Sequence, residues 1–300
     1  MRLRAEALLA MGCLFKPGKE AALGRLEGRV TSAGPWAASS RAVWVTFRAM
    51  ARGFSYPIDA LNCQSMKRFW EAALAVPRLE GGYGVVLDGR PLRLPGGNIL
   101  TTPNGRLAEA IAEEWHKAGG AKGGTMRQED VPLTRILAAA QERIAPDPKL
   151  MVEGIARYGE TDLLCYRAED HRLAARQAEA WQPLLDWAAL ALDAPLRVTQ
   201  GLMPVAQAPE SMAALQAAVA RHDAAGPAAL GVAVPALGSL VLGLAISLGR
   251  LDAEEAHRLA VIDELFQEEF WGSDAETEAR RQVRLDDVKL AARFIALTAA

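Results

Sequence analysis

A long uncharged segment sets the strongest limit on the fold of this chain. Residues 224–249 contain no Asp, Glu, Lys, Arg or His, over a length that would suffice for a helix crossing a bilayer. Residues that interrupt helices lie within it: Gly226, Pro227, Gly231, Pro235, Gly238, Gly243 and Gly249. Pro235 suits the first turn of a shorter helix over residues 236–248. We predict a short helix buried in a protein core and no stable membrane insertion, with a membrane-associated protein as an alternative.

The composition of the 300-residue chain is that of a globular protein with a sizeable core. Hydrophobic residues make up 51% of the sequence, enough to fill two domains. The net charge of −2 and the pI near 6.2 argue against a broad nucleic-acid surface, so we expect no nucleic-acid partner. Cys13, Cys63 and Cys165 form no CxxC pair. We therefore expect reduced thiols in a reducing compartment, without disulfides or a zinc site.

Charge is distributed unevenly between the start of the chain and its body. The first 66 residues contain nine basic and four acidic side chains, whereas residues 67–300 carry a net charge of −7. An Arg-rich, acid-poor leader over residues 1–65 resembles a transit peptide, which would place the mature protein in the mitochondrial matrix. Alternatively, translation begins at Met66, the upstream residues are spurious or disordered, and the protein is cytoplasmic in a bacterium. The high usage of Ala, Gly and Arg favours this second interpretation.

The first part of the body predicts a small β-sheet. Asp88-Gly89 lies between two apolar runs, Tyr83–Leu87 and Arg90–Leu94, which is a strong signal for a two-residue hairpin turn. Pro91 cannot donate a ladder hydrogen bond and is expected on an edge strand. A further short strand is expected over Asn98–Thr102.

Helical periodicity dominates the rest of the body. The predicted helices are one opened by Pro103, Pro132–Ile144, Pro148–Tyr158, Arg172–Leu192, Glu210–His222, a long one capped by Asp252 and a last one capped by Asp274. The buried stripe expected for the long helix is Leu259, Ile262, Phe266 and Phe270, and that of the last helix includes Val283, Val288, Ala291, Ala292 and Ile295. The predicted fold class is therefore α+β. A small N-terminal domain with a β-hairpin sheet and helices covers residues 66–157, and a mostly helical C-terminal domain covers residues 158–300.

The sequence lacks the motifs of common enzyme classes. The loop Gly119–Gly124 does not have the GxxxxGK[ST] spacing of a phosphate-binding loop, and we interpret it as a flexible linker. No histidine has the paired ligand spacing of a metal site. We therefore predict no catalytic residue, no cofactor and no metal. The alternative is a hydrolase or transferase acting on a phosphorylated small molecule in an interdomain cleft, with Asp162, Arg167 and the glycine-rich loop.

A segment rich in acidic and aromatic residues, Asp263–Gly272, is the clearest candidate for partner binding. In a helix, Glu264, Gln267, Glu268 and Trp271 share one face, away from the apolar stripe. A tryptophan beside carboxylates is a plausible anchor for a partner. The alternative is a solvated polar face, with Trp271 folded back into the core.

Several short motifs follow one another along the body. They are Lys67-Arg68-Phe69-Trp70, Leu87-Asp88-Gly89-Arg90-Pro91-Leu92, Pro132-Leu133-Thr134-Arg135, the run Tyr158–Arg167, Gln177 with Trp181 and Pro183-Leu184-Leu185, and Asp263–Gly272. In this order, from Lys67 nearly to the C-terminus, the chain resembles the assembly chaperones that bind the alpha subunit of the catalytic head of F-type ATP synthase, in mitochondria and alphaproteobacteria. Residues 1–65 lie outside the resemblance.

The resemblance implies a non-enzymatic chaperone that holds the free alpha subunit until the beta subunit takes its place, with no nucleotide required. It also implies an essential acidic residue near the C-terminus, for which Glu264 and Glu269 are the best matches. Glu269 lies towards the apolar stripe of the predicted helix, which weakens its case as a direct contact. Asp162 and Arg167 match another family motif, either as partner contacts or as a structural ion pair at the domain junction.

Overall fold

The computed structural model describes residues 65–201 and 203–299, and in them the predicted α+β fold class is confirmed. The predicted leader lies, up to Gln64, outside the described residues. The strands are β1 (Met66–Lys67), β2 (Ala73–Pro77), β3 (Tyr83–Leu87), β4 (Arg90–Pro91), β5 (Thr101–Thr102), β6 (Thr125–Met126), β7 (Tyr166–Arg167) and β8 (Thr199–Gln200). The helices are α1 (Gly105–Lys117), α2 (Pro132–Ala139), α3 (Lys149–Ala156), α4 (His171–Ala191), α5 (Pro209–Ala220), α6 (Ala225–Leu237), α7 (Leu240–Ser247), α8 (Ala253–Ala260), α9 (Ile262–Trp271) and α10 (Ala275–Thr298).

The predicted hairpin joins β3 to β4. Its two central residues have positive φ, 47° at Asp88 and 79° at Gly89, as a tight two-residue turn requires. The Asp88 carboxylate also accepts the backbone N–H groups of Ala72, at 2.9 Å, and Glu71. These hydrogen bonds stabilise the charged form and lower the pKa of Asp88. The hairpin signal is therefore local, and the same aspartate fixes the entry to β2.

The central sheet has the order β2–β3–β4, with β5 pairing to β3, so Pro91 lies on an edge strand as predicted. The strand expected over residues 98–102 is reduced to β5 and an isolated bridge between Arg93 and Ile99. Helix α1 buries one face, formed by Leu107, Ala108, Ile111, Ala112 and Trp115. The Trp115 carbonyl accepts the indole N–H of Trp70 at 2.9 Å, which ties α1 to the strand-bearing segment.

The uncharged segment forms two helices, so the prediction that Pro235 opens one helix over residues 236–248 is wrong. Pro235 lies in the last turns of α6, and Gly238, at φ 66°, ends that helix by donating to the Val234 carbonyl at 2.8 Å. Ser239 then caps α7 by accepting the N–H of Leu242 at 3.1 Å. Both helices are largely buried. Among the described helices, none combines the length and apolar composition that a membrane span needs.

The long helix predicted after Asp252 is also divided. Asp252 caps α8 as expected, accepting the N–H of Glu255 at 2.7 Å, but the backbone leaves helical geometry at Val261, which separates α8 from α9. At this break the Leu259 carbonyl accepts the Trp181 indole N–H at 2.9 Å. A tertiary contact from α4 thus satisfies a carbonyl that a continuous helix would have used internally.

The last helix, α10, packs along α6. Asp274 caps it as predicted, and Val288, Ala291 and Phe294 are fully buried. Val283 was expected in the buried stripe but is exposed. The far end of α10 reaches the N-terminal part, where the Asn104 amide donates to the Leu297 carbonyl at 3.4 Å. The domain boundary near residue 157 stays a prediction.

Candidate partner-binding surface

Helix α9 carries most of the predicted site and is anchored to α4 at its first turn. Gln177 donates to the Asp263 carboxylate at 2.7 Å and accepts the N–H of Ala168 at 2.7 Å. Burial raises the pKa of Asp263, while the bond from Gln177 opposes that shift. Phe266, one turn later, is buried. The N-terminal half of α9 is therefore fixed in position by its own side chains.

Two of the predicted acidic residues face α10. Both carboxylate oxygens of Glu264 accept from Arg284 Nη2 at 2.7 Å, and Glu268 pairs with Arg281 at 2.8 Å. The Glu264 side chain is 13% exposed and that of Glu268 is 21% exposed. The face that sequence spacing assigned to a partner, or alternatively to solvent, thus meets two arginines of the last helix. Its charge stabilises the attachment of α9.

The opposite flank of α9 faces α4. Glu269 pairs with Arg176, with Nη2 and Oε2 2.9 Å apart, and this bond lowers the pKa of Glu269. The Arg172 guanidinium lies over the ring of Phe270 at 5.0 Å, within cation–π range. Glu269 is half exposed rather than turned into the apolar stripe. The three acidic residues of the site, Glu264, Glu268 and Glu269, therefore each have an arginine partner.

The C-terminal end of α9 presents two large aromatic side chains, Phe270 and Trp271, which we call the aromatic end. Phe270 is 51% exposed and Trp271 is 75% exposed. Gly272, at φ 77°, ends the helix directly after them. Trp271 does not fold back into the core, so the solvated alternative with a buried tryptophan does not describe this site. Gln267 is half-buried on the preceding turn.

Asp162 and Arg167 lie apart from this surface and bind different partners. Asp162 is fully buried and accepts from Leu164 N at 3.0 Å, Ser239 Oγ at 2.7 Å and Val241 N at 3.0 Å. Burial raises the pKa of Asp162 to about 6. Arg167 donates to the Leu164 carbonyl at 2.7 Å and lies over the Trp181 ring at 5.5 Å. These contacts join the segment before α4 to the N-terminus of α7.

The end of α1 and the glycine-rich loop after it bind an arginine of the protein itself. The Arg68 guanidinium donates to the carbonyls of His116 at 2.7 Å and Ala118 at 3.3 Å, and also to Gly120. The Gly120 carbonyl of the loop thus binds a cationic side chain, whereas a phosphate-binding loop directs N–H groups at an anionic ligand. Within the described residues, no cluster of His, Cys, Asp and Glu is arranged to hold a metal ion.

Comparisons with known proteins point to one family. The family model for the ATP12 chaperone protein matches residues 67–189. The crystal structure of Atp12 from Paracoccus denitrificans is 45% identical, covers 78% of this chain and 98% of that chain, and superposes with a TM-score of 0.72. The chain belongs to the ATP12 chaperone family.

Further members are more distant. A putative chaperone from Agrobacterium tumefaciens is 32% identical, covers 88% of this chain and 99% of that chain, and has a TM-score of 0.73. The mitochondrial protein atp12 of Schizosaccharomyces pombe is 26% identical over 237 residues, 75% of this chain and 79% of that protein. The family resemblance inferred from the ordered motifs is thereby confirmed.

Membership of the ATP12 family confirms the predicted function: the chain is an assembly chaperone for the catalytic head of ATP synthase and not an enzyme. The alternative of a hydrolase or transferase is therefore wrong. The groups proposed for that chemistry are also unsuited to it, because Asp162 is buried among structural donors and the glycine-rich loop binds Arg68.

Sequence reasoning missed the basic side chains that hold α9 in place. Arg281 and Arg284 lie one turn apart on α10, and Glu264 and Glu268 lie one turn apart on α9. This matched spacing on either side of Gly272 was the available signal. Arg172 and Arg176, one turn apart on α4, give no comparable signal because they are distant in the sequence.

Proposed function

We propose that this ATP12 family member holds the free alpha subunit of the F-type ATP synthase head until the beta subunit takes its place. The aromatic end of α9 carries the proposal. An unassembled subunit exposes apolar surface, and a chaperone that covers it needs an exposed apolar anchor on a rigid support. Covering an apolar surface needs no hydrolytic group and no metal ion. We therefore propose that the chaperone acts without nucleotide.

The proposed docking surface consists of Phe270 and Trp271, with Leu265 five residues before Phe270. All three side chains are exposed, and Trp271 is the largest and most exposed of them. Tryptophan is strongly enriched among the residues that dominate binding energies, because it buries a large area with few rotatable bonds. The ion pairs on both flanks hold the helix that presents it, so little conformational entropy is lost on binding.

The remaining predicted residues contribute in different ways. We propose that Glu264, Glu268 and Glu269 act mainly by fixing α9 against its arginine partners, while the half-buried Gln267 can contact the client at the edge of the surface. Asp162 and Arg167 act through the fold, since their contacts lie within the protein. The essential acidic residue expected from the family is then a positioning group.

Capture of separately expressed alpha and beta subunits on the immobilised chain, without nucleotide, tests the proposal. We expect retention of alpha and not of beta. Trp271→Ala should weaken capture of alpha by about 30-fold, the effect of removing a side chain worth about 2 kcal/mol. Leu190→Ala is the matched control. Leu190 is 86% exposed near the C-terminal end of α4, whereas Arg172 and Arg176, which contact α9, lie near the N-terminal end, so this variant should leave capture unchanged. Retention of beta, or of neither subunit, would refute the proposed client.

We also propose that the chain acts in the cytoplasm of a bacterium, with the mitochondrial matrix as the alternative if residues 1–65 are a transit peptide. The relatives support either compartment, since they come from bacteria and from a yeast mitochondrion. Mass determination of the native N-terminus tests the point. A chain that starts at Met66 with no longer precursor supports the bacterial alternative.

A further inference from the structure

The aromatic end lies in a segment that contains acidic side chains and no basic ones. From Asp263 to Ala279 the sequence has no Lys, Arg or His. After Trp271, the start of α10 adds Asp274, Glu276 and Glu278, all exposed. An exposed indole next to carboxylates attracts cations, because the ring face carries partial negative charge.

The helix geometry adds to this negative potential. The carbonyl groups of the last turn of α9, which Trp271 ends, are directed towards the C-terminus of the helix, and such ends favour cations. The last turn of α9 contains no basic residue, and it contains Glu268 and Glu269 instead. Their partners, Arg281 and Arg176, approach from the flanks. These pairs, and Arg172 over the Phe270 ring, offset the charge of the last turn, so the negative charge left beside Trp271 is that of the helix end and of the acidic residues that follow it.

The acidic residues at the start of α10 differ in how far they are already engaged. Asp274 caps α10, and Glu276 forms an exposed pair with Arg280 at 3.5 Å. Glu278 forms no ion pair with any residue in the described part of the chain. All three can therefore contribute charge to an approaching partner without breaking a buried contact.

We infer that the segment of the client that docks on the aromatic end is cationic, with an Arg or Lys side chain laid on the ring of Trp271. This inference rests on the proposed function and adds the chemistry that the client must bring. Charge complementarity selects this occupant over a purely apolar segment, which would gain nothing from the exposed carboxylates that follow Trp271 in the chain.

The test is the salt dependence of the dissociation constant for the purified alpha subunit, measured with the full chain. We expect Kd to rise as NaCl increases from about 50 mM to about 500 mM, because exposed charge pairs are screened over this range. Glu276→Gln/Glu278→Gln should raise Kd at low salt by about two- to thirtyfold and flatten the salt dependence. Glu109→Gln/Glu129→Gln removes the same charge from exposed positions in the N-terminal part and should do neither.

A second series examines the ring. Trp271→Phe should retain part of the affinity, and Trp271→Leu should lose more of it, because leucine keeps apolar area but has no aromatic face. Equal affinities for the two variants, or a Kd that does not change with salt, would overturn the inference and leave the alpha subunit as client. Loss of all capture by the wild-type chain at every salt concentration would instead refute the proposed function, and the inference with it. Circular dichroism at each salt concentration verifies that the chain stays folded.

Discussion

Reversing the charge of Glu268 should loosen the C-terminal turns of α9 from α10. Glu268 and Arg281 are 2.8 Å apart, and their side chains are 21% and 14% exposed. In Glu268→Arg, two guanidinium groups would share this partly buried space. In the double variant Glu268→Arg/Arg281→Glu, the pair would form again with its charges exchanged.

The size of the effect follows from the burial of the pair. Exposed ion pairs contribute about 0.2–1 kcal/mol, whereas breaking a fully buried pair costs about 3–5 kcal/mol. The Glu268–Arg281 pair lies between these limits. An arginine at a helix C-terminus regains about 0.3–1 kcal/mol from the macrodipole. We therefore expect Glu268→Arg to lower the free energy of unfolding by about 2 kcal/mol, and the double variant to recover at least half of that loss.

Urea unfolding of the wild type, both single variants and the double variant gives the coupling energy between the two side chains. Capture of the alpha subunit is measured on the same four proteins. If Glu268 is a positioning group, stability and capture should fall together in the single variants and recover together in the double variant. A Glu268→Arg protein of wild-type stability that fails to capture alpha would refute this reasoning, because the carboxylate would then contact the client directly.

Two further predictions concern the fold. Burial raises the pKa of Asp162 to about 6 in the folded state, so the folded protein holds this proton at pH values where the unfolded chain has already released it. Protonation of Asp162 therefore stabilises the folded state at low pH, and this stabilisation is lost as the pH rises through about 6. Relative to Asp162→Asn, the wild type should lose up to about 3 kcal/mol between pH 4 and pH 7 in urea unfolding, and a pH-independent difference would contradict the assignment. Arg68→Lys should lower the free energy of unfolding by about 2–4 kcal/mol, because an ammonium group cannot reach carbonyls as far apart as those of Glu71 and His116. Thermal unfolding against the exposed control Arg90→Lys measures this, and equal losses in both variants would show that the carbonyl contacts contribute nothing.

The parts of the fold that were predictable depend on short-range chemistry. The turn at Asp88-Gly89 needs two residues that tolerate positive φ, and the caps at Asp252 and Asp274 need a carboxylate at one position. Each of these requirements is met within a few residues of chain. Family membership was predictable for a different reason, since many weak motifs in a fixed order are jointly specific.

The parts that were not predictable depend on contacts between distant segments. No residue near Val261 is a helix breaker, and the division between α8 and α9 coincides with the Trp181 indole, which comes from α4. The misplaced helix start at Pro235 has a more local cause. Gly238 is a helix-ending residue, and Ser239 directly after it is an N-cap for the next helix. Together these two signals outweigh Pro235 as a helix start.

The orientation of the site shows what pattern reasoning can and cannot reach. Spacing correctly placed Glu264 and Glu268 on one face of α9. Spacing alone does not say which element of the protein that face contacts. Gly272 and Asp274 leave a loop of very few residues, and helices joined by short loops are usually antiparallel neighbours. In that arrangement positions equally distant from the loop meet, which pairs Glu268 with Arg281 and Glu264 with Arg284, as observed. Because these acidic residues are used within the helix pair, we propose that a client contacts the tip of α9, where Phe270 is 51% exposed and Trp271 is 75% exposed.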